Sequence, residues 1–270
     1  MHKIIFKDIL KDAQKDLLRV FVLRIKITLE SRDKITLPVG FNEILQWFIY
    51  SSIRDEWLHD IGFEFNKRSF KLFTFSSILQ RGRYLKEKSL FVFPRRISFI
   101  VASPVDWILQ KLASGSIQKD KINMWYNDVY LTEISVLKPN KVESNKILVR
   151  ALTPIEVHST FETQNGRKTH YYTPFESEFS SLINENARKK WKAFFKSEPP
   201  SDIKIEPKGF NKEKIVRFGT DERYVIVKGW TGNFKLQGEP DFLKFILDAG
   251  IGSRNPQGFG LVEVVNEKGG

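Results

Sequence analysis

Three side chains in one early stretch, Tyr50, His59 and Lys71, are of types that move protons and steady charge at a phosphate. Histidine is the residue whose unperturbed pKa lets it take and give protons near neutrality. A ribonucleotide strand supplies its own nucleophile, the 2′-hydroxyl. A base for that proton, an acid for the leaving 5′-oxygen and a cation for charge on the phosphorane therefore make a complete metal-free set. Each residue also has an ordinary explanation. On a helix from about Phe41 to Trp57, Phe41, Leu45, Phe48 and Ser52 form the core stripe, and Tyr50 falls about half a turn away, on the solvent side. His59, in Trp57-Leu58-His59-Asp60-Ile61-Gly62, reads as a helix end and turn. Lys71 opens an expected strand, Phe70 to Ser76, where a cation keeps an edge soluble. Lys67 and Arg68 stand just upstream and compete for the cation's role, while His158 and His170 border a polar segment and rank lower.

A second signal lies near the other end, in Gly250-Ile-Gly252-Ser253-Arg254-Asn-Pro-Gln-Gly258-Phe-Gly260, four glycines in eleven residues. An apolar helical pattern precedes it and an alternating strand pattern follows. That order is the reverse of a dinucleotide-binding turn, and no Gly-Lys-Ser/Thr is present for a Walker loop. Glycines let backbone N–H groups approach a ligand closely, and successive N–H groups form an anion nest. A helix C-terminus repels phosphate, so Arg254 and the loop amides are expected to carry the attraction to a polyanion. The plain alternative is a helix C-cap followed by a tight turn.

With 44 Lys+Arg against 32 Asp+Glu, the 270-residue chain has a formal charge of +12. Its pI of about 9.6 favours a nucleic-acid partner. Candidate phosphate contacts are Arg24, Lys26, Arg95, Arg96, Arg150, Lys189, Lys190 and Arg254. The absence of cysteine excludes disulfides, thiol nucleophiles and thiolate metal sites. Four histidines without HExxH spacing offer no zinc site, and the reading expects no metal and no cofactor. No apolar run is long enough to cross a bilayer. Met1 to Leu17 is charged with apolar residues at helical spacing, an amphipathic extension rather than a signal peptide. A cytoplasmic protein without membrane association is expected.

The elements that must position these residues follow from periodicity. Strand patterns at Val20–Leu29, Phe70–Ser76, Leu90–Val101 and Val129–Leu137 enclose the helix near residue 50 and another from Val105 to Leu112, giving β-α-β-β-α-β. After a polar break at Lys138-Pro139-Asn140, the scheme repeats: Ile147–Val157, a helix from Phe175 to Phe195, strands at Ile203–Phe210, Lys214–Phe218 and Tyr224–Gly232, a helix from Pro240, and a last strand at Leu261–Val265. The expected fold is α+β, two tandem ferredoxin-like (RRM-like) domains over residues 19–138 and 144–270, with residues 1–18 as an extension.

The glycine-rich segment through Leu261-Val262-Glu263-Val264 resembles the signature of the CRISPR-associated repeat-RNA endoribonucleases, the sixth Cas family of the repeat-associated mysterious protein superfamily. Leu45-Gln-Trp-Phe-Ile-Tyr50, Leu58-His59 and Lys71-Leu-Phe-Thr-Phe-Ser76 resemble that family's N-terminal block, and Leu152-Thr-Pro-Ile155 the opening of its second domain. The resemblance implies metal-independent cleavage of precursor CRISPR RNA, leaving 5′-hydroxyl and 2′,3′-cyclic phosphate ends. It assigns catalytic roles to Tyr50, His59 and Lys71, and RNA contact to the loop. The alternative is a non-cutting subunit that holds repeat RNA in a CRISPR effector complex. Monomer and homodimer both stay open.

Overall fold

The computed structural model describes residues 23–164, 166–219 and 224–265. The expected extension over residues 1–18 lies outside them. The first half comprises β1 (Leu23–Ser31), β2 (Ile35–Pro38), α1 (Asn42–Ile53), α2 (Glu56–Asp60), β3 (Phe63–Phe65), β4 (Arg68–Phe70), β5 (Thr74–Phe75), β6 (Arg83–Leu85), β7 (Leu90–Phe93), β8 (Arg96–Ser103), α3 (Asp106–Ile117), β9 (Ile122–Met124) and β10 (Asn127–Leu137). The second comprises β11 (Lys146–Ala151), β12 (His158–Thr163), β13 (Gly166–Tyr171), α4 (Ser177–Phe195), β14 (Lys204–Gly219), β15 (Tyr224–Gln237), α5 (Pro240–Ala249) and β16 (Val262–Val264).

Each half builds a main antiparallel sheet, ordered β5-β8-β1-β10-β9 and β14-β15-β11-β16, beside smaller ones. In chain order within each half, both read second-third-first-fourth, the ferredoxin-like arrangement, with β9 added outside the first. The tandem ferredoxin-like expectation holds. On β1, Ile25, Ile27 and Leu29 bury one face as alternation requires. The opposite face, partly basic in sequence, also buries Arg24 and Thr28. α5 supplies the cover: Arg24 Nε donates to Asp248 Oδ1 at 2.6 Å, and its other nitrogens reach Val262 O and Leu247 O at 2.6 and 2.7 Å. The expected role of Arg24 as a phosphate contact is therefore corrected, because its guanidinium is spent inside the protein. One apolar cluster runs from Ile25 and Phe48 to Phe242 and Val262, so both halves share a core.

Other departures have local causes. The expected helix to Trp57 breaks at Arg54, which adopts φ 50°, and restarts where Asp55 accepts from Leu58 N at 2.8 Å as an N-cap. The expected strand Phe70–Ser76 divides into the ends of β4 and β5 around Leu72, at φ 50°. Leu90–Val101 splits at Pro94, which cannot donate to a ladder; β7 joins β2 and β6 in a small separate sheet. Ile203–Phe210 and Lys214–Phe218 form instead one strand of 16 residues with a register shift between Lys208 and Lys212.

Candidate active site and glycine-rich loop

The last turn of α1, the short α2 and the segment between β4 and β5 meet around His59. The Tyr50 ring packs edge-on against His59, centroids 5.0 Å apart, and against Phe73 at 5.5 Å. It is half-buried and part of the core's margin, which corrects the expectation of a solvent-side tyrosine. The helix presents it outward, but α2 folds back over it. Burial pushes the Tyr50 pKa far up, so its hydroxyl is a proton donor and not an available base.

His59 is exposed, 64% by side chain, and its Nδ1 lies 2.6 Å from Asp60 Oδ1. A carboxylate only accepts, so Nδ1 carries the hydrogen and Nε2 is left toward solvent. Lys71 follows β4, outside either flanking strand. Burial pushes its pKa down, and the charges of Asp60 and Glu64 push it back up. Asp60 thus sits between the imidazole and the ammonium and acts on both. Of the three cations considered, Lys71 is the one tied to Asp60. Lys67 turns the β3–β4 hairpin at φ 64°, and Arg68 opens β4; both are exposed. Asp60 was passed over in the sequence reading, although its position beside His59 was the available signal.

Gly62 closes this corner. It has φ +69°, and a Cβ there would stand 2.6 Å from Phe70 O and 3.0 Å from Lys71 Cδ. Gly62→Ala should cost about 1–2 kcal/mol through the left-handed backbone alone, read as a lower urea midpoint. The same methyl would also crowd the Lys71 side chain.

The glycine-rich segment is a buried joint. Gly250, Gly252, Gly258 and Gly260 are all buried. Gly250 N donates to Ile246 O at 3.0 Å, Ser253 N to Glu156 O at 2.7 Å, Gly258 N to Asn255 O at 2.9 Å and Gly260 N to Pro154 O at 2.9 Å. These amides face inward, which corrects the expected anion nest for the four of them. Gly252 instead bridges in parallel to Glu156. Gly260 needs its missing side chain most acutely: at φ +73°, a Cβ would lie 1.9 Å from Ile251 O. Across the joint, Thr74 Oγ1 donates to Phe259 O at 2.8 Å and Asn42 Nδ2 to Gln257 O at 3.0 Å. The loop therefore docks on β5 and α1.

Lys190 is the loop's internal anchor, not the phosphate contact expected from sequence. It is buried, and its Nζ donates to Asn255 Oδ1 at 2.6 Å, Gly250 O at 2.7 Å and Gly252 O at 2.8 Å. Three acceptors match the three donors of an ammonium, while burial pushes its pKa down from 10.5 to about 7. Between those values the unfolded chain binds more protons than the fold, so stability contributed through Lys190 rises with pH. The urea midpoint of the wild type should climb between pH 7 and pH 10 relative to that of Lys190→Met, which lacks the group in both states.

The remaining cations stay outside. Arg96 Nη2 and Lys26 Nζ pair with Glu133 at 2.9 and 3.6 Å, and Arg150 Nε with Glu263 at 2.8 Å. Lys189 pairs with Glu185 at 3.1 Å, and Arg95 is exposed at the turn into β8. Surface pairs of this kind contribute little to stability and exchange readily for phosphate.

Residues 137–264 match the family model described as CRISPR associated protein Cas6, C-terminal. The CRISPR-associated endoribonuclease Cas6 1 of Methanocaldococcus jannaschii is 24% identical over 253 residues, covering 91% of this chain and 94% of the relative. The CRISPR-associated endoribonuclease Cas6 of Pyrococcus furiosus is 26% identical over 257 residues, covering 90% of each. A solved structure of a Cas6-related gene product from Pyrococcus furiosus superposes with a TM-score of 0.78 at 20% identity, over 92% of this chain and all of that one. The fold is a double ferredoxin-like one, shared with that structure. Over residues 137–264 the chain matches the C-terminal Cas6 family model, and along most of its length it is similar to these two Cas6 endoribonucleases. Among the described residues, no helix is long and apolar enough to cross a membrane.

Proposed function

We propose that the chain cuts precursor CRISPR RNA within its repeat, in the cytoplasm and without a metal ion. His59 Nε2 takes the proton of the 2′-hydroxyl, whose oxygen attacks the adjacent phosphorus. Tyr50, kept un-ionised by burial, donates a hydrogen bond toward the phosphorane oxygens. The Lys71 ammonium faces the same charge. Its weakened hold on a proton suits it to protonating the 5′-oxygen as the P–O5′ bond breaks. His59 then returns a proton through solvent, leaving a 5′-hydroxyl and a 2′,3′-cyclic phosphate. The observation that carries this reading is His59 with Nδ1 bound to Asp60 and its ring against Tyr50. The naming of two relatives as CRISPR-associated endoribonucleases supports the substrate.

Affinity would come from phosphate contacts by Lys26, Arg95, Arg96, Arg150 and Arg254, together with the half-buried rim of the glycine-rich loop at Ser253. Such binding weakens as salt rises. The deciding experiment incubates end-labelled repeat RNA with the protein in EDTA. Cuts at one position with a cyclic phosphate end are expected. Tight binding that leaves the RNA intact would reassign the protein to a non-cutting effector subunit.

A further inference from the structure

Glu156, between β11 and β12, is buried with 0% side-chain exposure, and its Oε1 lies 2.5 Å from His158 Nδ1. Its Oε2 has no hydrogen-bond partner; neither does Arg254 Nε, which faces it at 3.9 Å. A carboxylate with an unfilled buried oxygen is costly, so a reason for it is to be sought in what it holds. It holds an imidazole and a guanidinium. His158 and Arg254 keep 26% and 29% of their side chains exposed. With Nδ1 committed to the carboxylate, the imidazole leaves Nε2 as its outer nitrogen. Arg254 spends Nη1 on Gln257 Oε1 at 3.2 Å and retains guanidinium donors beyond it.

The backbone is arranged to bring these groups together. Ser253 N donates to Glu156 O at 2.7 Å, and a Cβ at Gly252 would stand 2.4 Å from that same oxygen. Arg254 itself holds φ 55°, a left-handed conformation that non-glycine residues adopt chiefly where the surroundings impose it. Tyr171 pairs with His158 across the β12–β13 hairpin, ring centroids 5.8 Å apart, and its hydroxyl is spent on Ile226 O. It walls the site, adds no donor, and its hydroxyl oxygen accepts one of the Arg254 donors. The loop that carries Arg254 is tied to Thr74, which follows Lys71 by three residues, at most about 11 Å of chain.

We infer that Glu156 aligns His158 and Arg254 as a clamp on one phosphodiester of the bound RNA, a contact separate from the Tyr50–His59–Lys71 cluster. The guanidinium, and the imidazole when both of its nitrogens carry hydrogen, suit a phosphate, which arginine takes in fork geometry. Glu156 is a positioning residue and does not touch the RNA. The inference rests on the RNA-cutting reading above, and the test separates the two.

The test measures binding of repeat RNA carrying a 2′-deoxy nucleotide at the cut, so that it stays whole, across a salt series. His158→Gln and Arg254→Gln should each weaken binding at low salt. Their combination should reduce the slope of log affinity against log salt by about 0.7, the value for one phosphate on a single strand. Glu156→Gln should weaken binding although the residue is shielded from RNA, and His59→Ala should keep the wild-type slope. An unchanged slope in the double variant overturns the clamp, as does a drop near 1.4, which would mean two separate phosphates. Should the double variant fail to fold by circular dichroism, His158→Gln alone decides: affinity equal to wild type overturns the clamp. Wild-type protein that ignores repeat RNA overturns the cutting reading as well; wild type that binds while the variants match it overturns only the clamp.

Discussion

Replacing His59 by alanine should slow repeat-RNA cleavage by about 10²–10⁴-fold, the usual contribution of a positioned acid or base. The fold should barely register the change, since the imidazole is exposed and its one hydrogen bond goes to an exposed carboxylate. RNA affinity should hold as well, because phosphate contacts elsewhere dominate it. Single-turnover cleavage of labelled RNA, run beside equilibrium binding of the 2′-deoxy strand, gives both numbers from one preparation. Cleavage at the wild-type rate would remove His59 from the mechanism. A parallel loss of affinity would make it a binding residue instead. Asp60→Asn offers an internal check. It keeps a group that can accept from Nδ1 and removes the charge that steadies both His59 and Lys71, so its cleavage rate should fall between those of the wild type and His59→Ala.

The second large effect concerns stability. Arg24→Leu should lower the unfolding free energy by about 3–5 kcal/mol, the cost of leaving a buried charge without its partner. Asp248 is 0% exposed, and its Oδ2 already lacks a hydrogen-bond partner. The substitution also strips donors from Val262 O and Leu247 O. Burial raises the Asp248 pKa, and Arg24 holds the rise in check. Without Arg24 the folded state would favour the protonated carboxyl more strongly. It would then bind a proton that the unfolded chain releases, and the variant should regain stability as pH falls from 7 toward 5. Urea unfolding at those two pH values tests magnitude and sign together. Arg24→Leu combined with Asp248→Leu should recover much of the loss, because an apolar pair of similar volume often replaces a buried ion pair without penalty.

Much of the architecture was readable because the central strands and main helices bury one face against the core, and apolar spacing records a single burial face well. The helices α1 and α4 are of this kind. The β12–β13 hairpin was missed for the opposite reason: nearly all of it is exposed, so its residues answer to no core and show no alternation. Arg24 was misread because periodicity marks the face toward a strand's own helices and says nothing of a second domain arriving from residues 247–262. Tyr50 was misplaced by the same blindness, since its cover comes from α2 folding back over α1. The glycines stood out in sequence, but three of their amides, with that of Ser253, serve the protein. Glycine composition alone does not distinguish a loop that must admit a ligand from one that must admit another backbone. His158 stood in a polar stretch with nothing nearby in sequence to distinguish it. Its meaning depends on Glu156, two residues earlier and turned inward, and on Arg254, almost a hundred positions later.

The joint between Thr74, Asn42 and the loop at 257–259 has a mechanical corollary. Two lobes that share one buried core and are pinned by these hydrogen bonds resist opening like jaws, so a flexible polymer laid across them would have to do the bending itself.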